Sequence, residues 1–157
     1  MQRKRVDLVR VKLVKMELVK EKTVHYLSED GKRRKISSPG DAYDLVKELY
    51  NGCDRETVLL VCLNTKNEPE NISVVSVGCL SSSIVHPREV MKTAILSNAA
   101  SVMMFHNHPS GNVKPSREDI QITERLVEAG DILGIKFLDH LIIGEDKYLS
   151  FKEENII

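Results

Sequence analysis

The stretch between residues 101 and 134 constrains this chain more than any other. Val102-Met103-Met104-Phe105 is a short apolar run, and a strand is expected over 101–106. A loop rich in Pro and Gly follows at 109–115, where Pro109 stops simple continuation of the sheet pairing. Ser116 has the chemistry of a helix cap, and the helix runs to about Gly130 or Gly134. Ile120, Ile122, Thr123, Leu126, Val127 and Ile132 supply its apolar side.

Two histidines stand at the exit of that strand, in His106-Asn107-His108-Pro109. Positions i and i+2 point to opposite sides of a helix but to the same side of a strand. Their Cα atoms are then about 6.6 Å apart, and both imidazoles can converge on one ion at roughly 2.0–2.1 Å. The loop turns at Ser110-Gly111-Asn112 and returns to Ser116, which places Asp119 in the first turn of the next helix. A carboxylate is favoured there by the helix dipole as well. Two histidines and one carboxylate leave a tetrahedral zinc one open position for water, the arrangement of a catalytic rather than a structural site. Ser116-x-x-Asp119 on its own is an ordinary capping box, and His-x-His on its own is weak. The conjunction is what points to a metal centre of His106, His108 and Asp119.

The flanking sequence supplies a sheet and helices to carry this unit. Ser37-Ser38-Pro39-Gly40-Asp41 is turn and cap chemistry, so a helix begins near Asp41 and ends at Asn51-Gly52. Val- and Leu-rich residues 56–63 read as a buried strand, 64–71 as a hairpin turn, and 72–77 as the returning strand. Pro87 suits the first turn of a helix running to about Asn98. Residues 137–143 and 148–151 read as closing strands, and partial alternation over 6–27 suggests one or two early ones. The order is mixed, α/β or α+β around one sheet. At 157 residues, 41% hydrophobic and 29% charged, the chain suits one folded domain rather than disorder.

Net charge is zero, yet residues 1–35 hold 12 Lys+Arg against 5 Asp+Glu, leaving 11 against 18 for the remainder. The expectation is a basic N-terminal β arm over 1–35, compatible with a nucleic-acid partner. The three cysteines, Cys53, Cys62 and Cys79, are odd in number and form no Cys-x-x-Cys clamp, which argues for a reducing compartment. No signal-peptide core forms near the start, and the apolar run at 58–63 is too short to span a bilayer. A cytoplasmic protein with no membrane role is expected.

His-x-His-Pro followed by Ser116 and Asp119 matches the JAMM motif of the JAB/MPN metalloprotease superfamily: His-x-His, seven residues, Ser, two residues, Asp. The wider sequence resembles the RadC-like branch of that superfamily. The resembling segments are Val85-His86-Pro87-Arg88-Glu89, Asn98-Ala99-Ala100, His106 to Gly111, Pro115-Ser116, Leu138-Asp139-His140 and Tyr148-Leu149-Ser150-Phe151. They cover about residues 36–157. Longer members precede this part with a helix-hairpin-helix region, which these residues do not include, so the resemblance by itself implies no inherited DNA-binding role.

The resemblance implies a single JAB/MPN-like domain over 36–157, a mixed central sheet flanked by helices, related to the cytidine-deaminase-like fold. A nucleobase deaminase would need His-x-Glu and Pro-Cys-x-x-Cys, and neither occurs. It implies one Zn2+ on His106, His108 and Asp119. It further implies a glutamate at the start of an upstream central strand that deprotonates the zinc water. Glu56 fits, with Glu89 as its rival at a helix start. Ser116 resembles the family's oxyanion stabiliser. Asp139-His140 reads as support for the site or a substrate contact, outside the catalytic set. The implied activity is zinc-dependent cleavage of an amide bond in a protein or peptide, as a metallopeptidase or isopeptidase. The alternative is a repair or mobile-element accessory protein that binds nucleic acid through the basic arm.

Overall fold

The middle of the chain holds two strands whose every residue, or nearly so, avoids water. The computed structural model describes residues 15–22, 26, 31–78 and 85–157. Strand β1 (Thr57–Leu63) is buried from Val58 onward, and β2 (Pro69–Val77) returns beside it as an antiparallel edge. Strand β3 (Ser101–Asn107) is buried throughout, lies antiparallel to β1, and pairs in parallel with β4 (Lys136–Ile143). Strand β5 (Tyr148–Ser150) closes the far edge, giving the order β2-β1-β3-β4-β5. The fold is a mixed α/β sheet flanked by helices, in line with the expected JAB-like domain.

Near-continuous apolar runs are what a strand buried on both faces requires, and alternate residues of β1 and β3 feed two cores. Val58, Leu60, Val102 and Met104 pack with helices α2 (Pro87–Leu96) and α3 (Arg117–Leu133). Leu59, Val61, Met103 and Phe105 pack on the opposite face with α1 (Pro39–Val46). Each fully buried Leu or Val side chain here contributes about 1.5–3 kcal/mol. The connection from β3 through α3 to β4 is therefore the unit that carries the motif. Helix α3 ends at Gly134 in the left-handed conformation, φ 70°. One turn earlier, a Cβ on Gly130 would meet the Ile135 carbonyl oxygen, so only glycine lets β4 start so close to the helix.

The boundaries differ from the sequence reading in instructive places. Helix α1 starts two residues earlier than Asp41, on Pro39, because Ser38 is its cap and Pro is welcome at the first helical position. Its end tightens into a 3₁₀ turn over Lys47–Tyr50. The expected turn at 64–71 is shorter: Asn64 closes it by accepting from the Lys66 and Glu68 amides, and β2 already begins at Pro69. Proline can open an edge strand, where its missing N–H costs no ladder bond. Strand β1 begins at Thr57, so Glu56 sits just ahead of the strand rather than in it. Residues 15–22 carry no helix or strand. The other residues of the strands expected within 6–27 lie outside the described ones, apart from Tyr26, and so do His25 and Cys79.

Candidate metal centre

His106 occupies the last turn of the pleat in β3, opposite Val58 of β1, and its side chain is fully buried. His108 lies just beyond the strand and keeps 14% exposure. Asp119 is the third residue of α3 and is 1% exposed. The capping box expected from Ser116-x-x-Asp119 is present: the Ser116 hydroxyl accepts from the Asp119 amide at 3.1 Å, and Asp119 Oδ2 accepts from the Ser116 amide at 2.7 Å. The cap rotates the other carboxylate oxygen inward, to 3.3 Å from His106 Nε2. The two Nε2 atoms of His106 and His108 are 2.8 Å apart, and one donor atom from each of the three residues lies within 4.8 Å of the others.

The donor set fits a metal cation. Asp119 Oδ1 is buried and accepts no hydrogen bond among the described residues, a costly state for a carboxylate oxygen unless a cation shares it. His108 Nδ1 lies 2.5 Å from the Asn112 carbonyl, which can only accept. Nδ1 therefore carries the hydrogen, and Nε2 presents a lone pair toward His106. Two imidazole Nε2 atoms and a carboxylate oxygen thus converge from a strand, a loop and a helix start. This group could hold a metal ion.

Electrostatics follow burial. Removal from water, partly offset by Asp119, lowers the His106 pKa to about 4. Burial acts to raise the Asp119 carboxyl, but the approach of His108, the charge of His106 and the hydrogen bonds of Ser116 win and hold it well below 3.8. His108 moves the other way: the nearby Asp119 carboxylate leads, 3.7 Å from Nε2, with Asn112 and the charge of Glu56 adding, and together they outweigh burial to raise it above 6.5.

Glu56 lies near this centre, close enough for its charge to act on His108. Val58 pairs with His106 as the last recorded pair of the antiparallel ladder, and Glu56 stands two residues ahead of Val58. The side chain of Asn107 takes over where the ladder ends. Its Oδ1 accepts from the Thr57 amide at 2.7 Å and its Nδ2 donates to the Arg55 carbonyl at 3.1 Å, bracketing Glu56. The Glu56 carbonyl accepts from the Gly78 amide at 2.8 Å, holding the residue from the β2 side. Glu89 is exposed in the first turn of α2, where Lys92 at 2.6 Å, with help from Arg88, holds its carboxyl below 4.5.

Asp139 and His140 play separate parts. Asp139 accepts from the Ser150 hydroxyl and from the His140 and Lys152 amides, which ties the C-terminal turn to β4. His140 is fully buried behind the centre, its Nε2 2.7 Å from His106 Nδ1 and its Nδ1 2.6 Å from the Thr123 hydroxyl. Asn107 and Thr123 escaped the sequence reading. A signal for Thr123 existed: it is a polar residue on the apolar side of α3, one turn after Asp119. Asn107 offered none, because its role depends on which strand lies alongside.

Comparison with known proteins agrees with this geometry. Residues 36–156 match the RadC-like JAB domain family. The UPF0758 protein Mbar_A2303 of Methanosarcina barkeri is 50% identical over 125 residues, 80% of this chain and 55% of that protein. A UPF0758 protein of Rubrobacter xylanophilus is 54% identical over 122 residues, 78% and 53% of the two chains. The UPF0758 protein TTE0897 of Caldanaerobacter subterraneus is 49% identical over 128 residues, 82% and 55%. The chain spans about half the length of these curated relatives. Among the described residues, no helix is long and apolar enough to cross a membrane.

Proposed function

Since the chain belongs to the RadC-like JAB domain family and three donor residues converge where they could hold a metal ion, we propose that it is a zinc-dependent hydrolase that cleaves an amide bond, as a metallopeptidase or isopeptidase. The observation that carries this reading is the buried Asp119 Oδ1, which accepts no hydrogen bond among the described residues and lies 3.3 Å from His106 Nε2, itself 2.8 Å from His108 Nε2. His106, His108 and Asp119 would hold the ion. A bound zinc supplies a Lewis acid that polarises a carbonyl and lowers the pKa of water toward about 7.

The remaining chemistry belongs to side chains of this chain. Glu56, whose charge acts on His108 and whose chain neighbours Arg55 and Thr57 are held by Asn107, serves as general base for the attacking water and then as acid toward the leaving amine. Ser116 spends its oxygen lone pair on the Asp119 amide, which leaves its own proton to donate to the oxyanion. The wall of β1 and β3 behind His106 excludes water from that side, which strengthens each of these interactions.

The test is metal analysis of the purified chain coupled to a screen of peptide and isopeptide substrates. About one zinc per chain is expected from one three-donor site. Glu56→Gln should keep the zinc and lose turnover by about 10²–10⁴-fold. Zinc-loaded protein that cleaves no amide in the screen counts against the reading. Full turnover in Glu56→Gln, with loss in Glu89→Gln, moves the base to α2.

A further inference from the structure

Behind the three donors runs a buried chain of side-chain hydrogen bonds whose hydrogens can be placed one by one. It starts at a group that can only accept, the backbone carbonyl of Asp119. The Thr123 hydroxyl lies 2.6 Å from that carbonyl and 2.6 Å from His140 Nδ1. A hydroxyl has one hydrogen, and the carbonyl has none, so Thr123 donates to the carbonyl. Thr123 must therefore accept from His140, and His140 carries its hydrogen on Nδ1. Its Nε2 is left as the acceptor, 2.7 Å from His106 Nδ1. His106 then donates from Nδ1 and turns a bare Nε2 toward Asp119 and His108.

We propose that His140 and Thr123 are positioning residues of the metal centre, fixing His106 as the Nδ1–H tautomer through the Asp119 carbonyl. The relay begins and ends on donor residues: the strand-borne histidine and the helix-borne aspartate are joined through β4 and α3 by two side chains that touch no metal. His108 reaches the same tautomer by a different route, from Nδ1 to the Asn112 carbonyl of its own loop. The fully buried donor thus depends on tertiary structure for its proton placement, and the partly buried one on its local turn. Such outer partners orient metal-binding histidines and commonly change metal affinity by 10–100-fold when removed. Thr123 and His140 are both fully buried, so water cannot substitute for either partner.

The inference rests on the zinc reading for its purpose but not for its test, because ring tautomers can be read without metal. In ¹⁵N-histidine-labelled full-length protein, long-range ¹H–¹⁵N spectra at neutral pH or above report which ring nitrogen of each histidine carries hydrogen. His140 and His106 are expected as Nδ1–H tautomers in the metal-free protein, and zinc should leave His140 unchanged. Thr123→Val keeps the shape but removes the acceptor. His140 should then shift its hydrogen to Nε2 and zinc affinity should fall about 10–100-fold, with Thr123→Ser restoring both. His140 found as the Nε2–H tautomer in the unaltered protein overturns the relay, whatever the metal content. Unchanged tautomers and affinity in folded Thr123→Val overturn it equally. If Thr123→Val does not fold, the spectra of the unaltered protein decide alone. Correct tautomers in a protein that takes up no zinc would uphold the relay while refuting the zinc reading.

Discussion

Two helices of this molecule start on the same local device, and only one of them brings its carboxylate to a group that could hold a metal ion. Helix α1 opens with Ser38-Pro39-Gly40-Asp41 and α3 with Ser116-Arg117-Glu118-Asp119, and both form complete capping boxes. At α1 the carboxylate is spent at both ends. Asp41 Oδ2 accepts from the Ser37 and Ser38 amides, while Oδ1 takes Arg34 at 2.7 Å with 22% of the side chain still exposed. At α3 only Oδ2 is used on the cap, and Oδ1 is buried facing His106. The cap serves each helix alike, satisfying otherwise orphaned amides. What the second oxygen meets decides whether the aspartate can also bind metal. An arginine in partial contact with water makes a surface ion pair of small energetic weight, whereas Asp119 meets two imidazoles in a group that could hold a metal ion.

The comparison can be broken most directly at the two aspartates. Asp119→Ala should drop zinc from about one per chain to below about a tenth, since two donors seldom retain it, while Asp41→Ala should leave zinc untouched. Measured by elemental analysis after gel filtration, equal zinc in the two variants would remove Asp119 from the donor set. The serines give a smaller separation. Ser38→Ala and Ser116→Ala should each cost about 1 kcal/mol in denaturant unfolding, but only Ser116→Ala should also slow turnover, by about 10²-fold. Equal turnover in both would reduce Ser116 to a cap. The smallest effect is electrostatic. Burial acts to raise Asp41, yet Arg34, Ser37 and Ser38 overcome it and hold the carboxyl below 3.8. A carboxyl depressed on folding stabilises the fold fully above its unfolded pKa and loses that contribution as pH falls through the folded value. The stability gap between wild type and Asp41→Asn should therefore be constant near neutrality and shrink below about pH 3.8. A gap that widened on acidification would contradict the Arg34 pairing.

Much of this architecture was legible because local rules agree with one another here. The apolar run at 102–105 had no other use than a doubly buried strand, and Ser116 with Asp119 could hardly fail to start a helix. The misread boundaries lie where tertiary pairing outranks propensity. Pro69 looks like turn chemistry, but the open edge of the sheet tolerates it in β2. The donor residues were readable from spacing because strand and helix periods place them. Glu56 was expected through family resemblance alone, and the contacts around it, the pairing of Val58 with His106 and the grip of Asn107 on Arg55 and Thr57, became visible only in the fold.

What the sequence by itself determined is local: a strand with two histidines at its exit, a loop that turns back, and a capped helix with a carboxylate in its first turn. These follow from φ/ψ preferences, side-chain periodicity and capping, each acting over a few residues. What only the tertiary structure decided is the state of those donors. Glu56 comes close enough for its charge to act on His108, β4 brings His140 behind His106, and burial leaves one oxygen of Asp119 without a hydrogen bond among the described residues while Asp41 stays partly exposed beside an arginine. Proton placement and desolvation depend on groups far apart along the chain, whose approach is set by sheet order and packing rather than by any short motif.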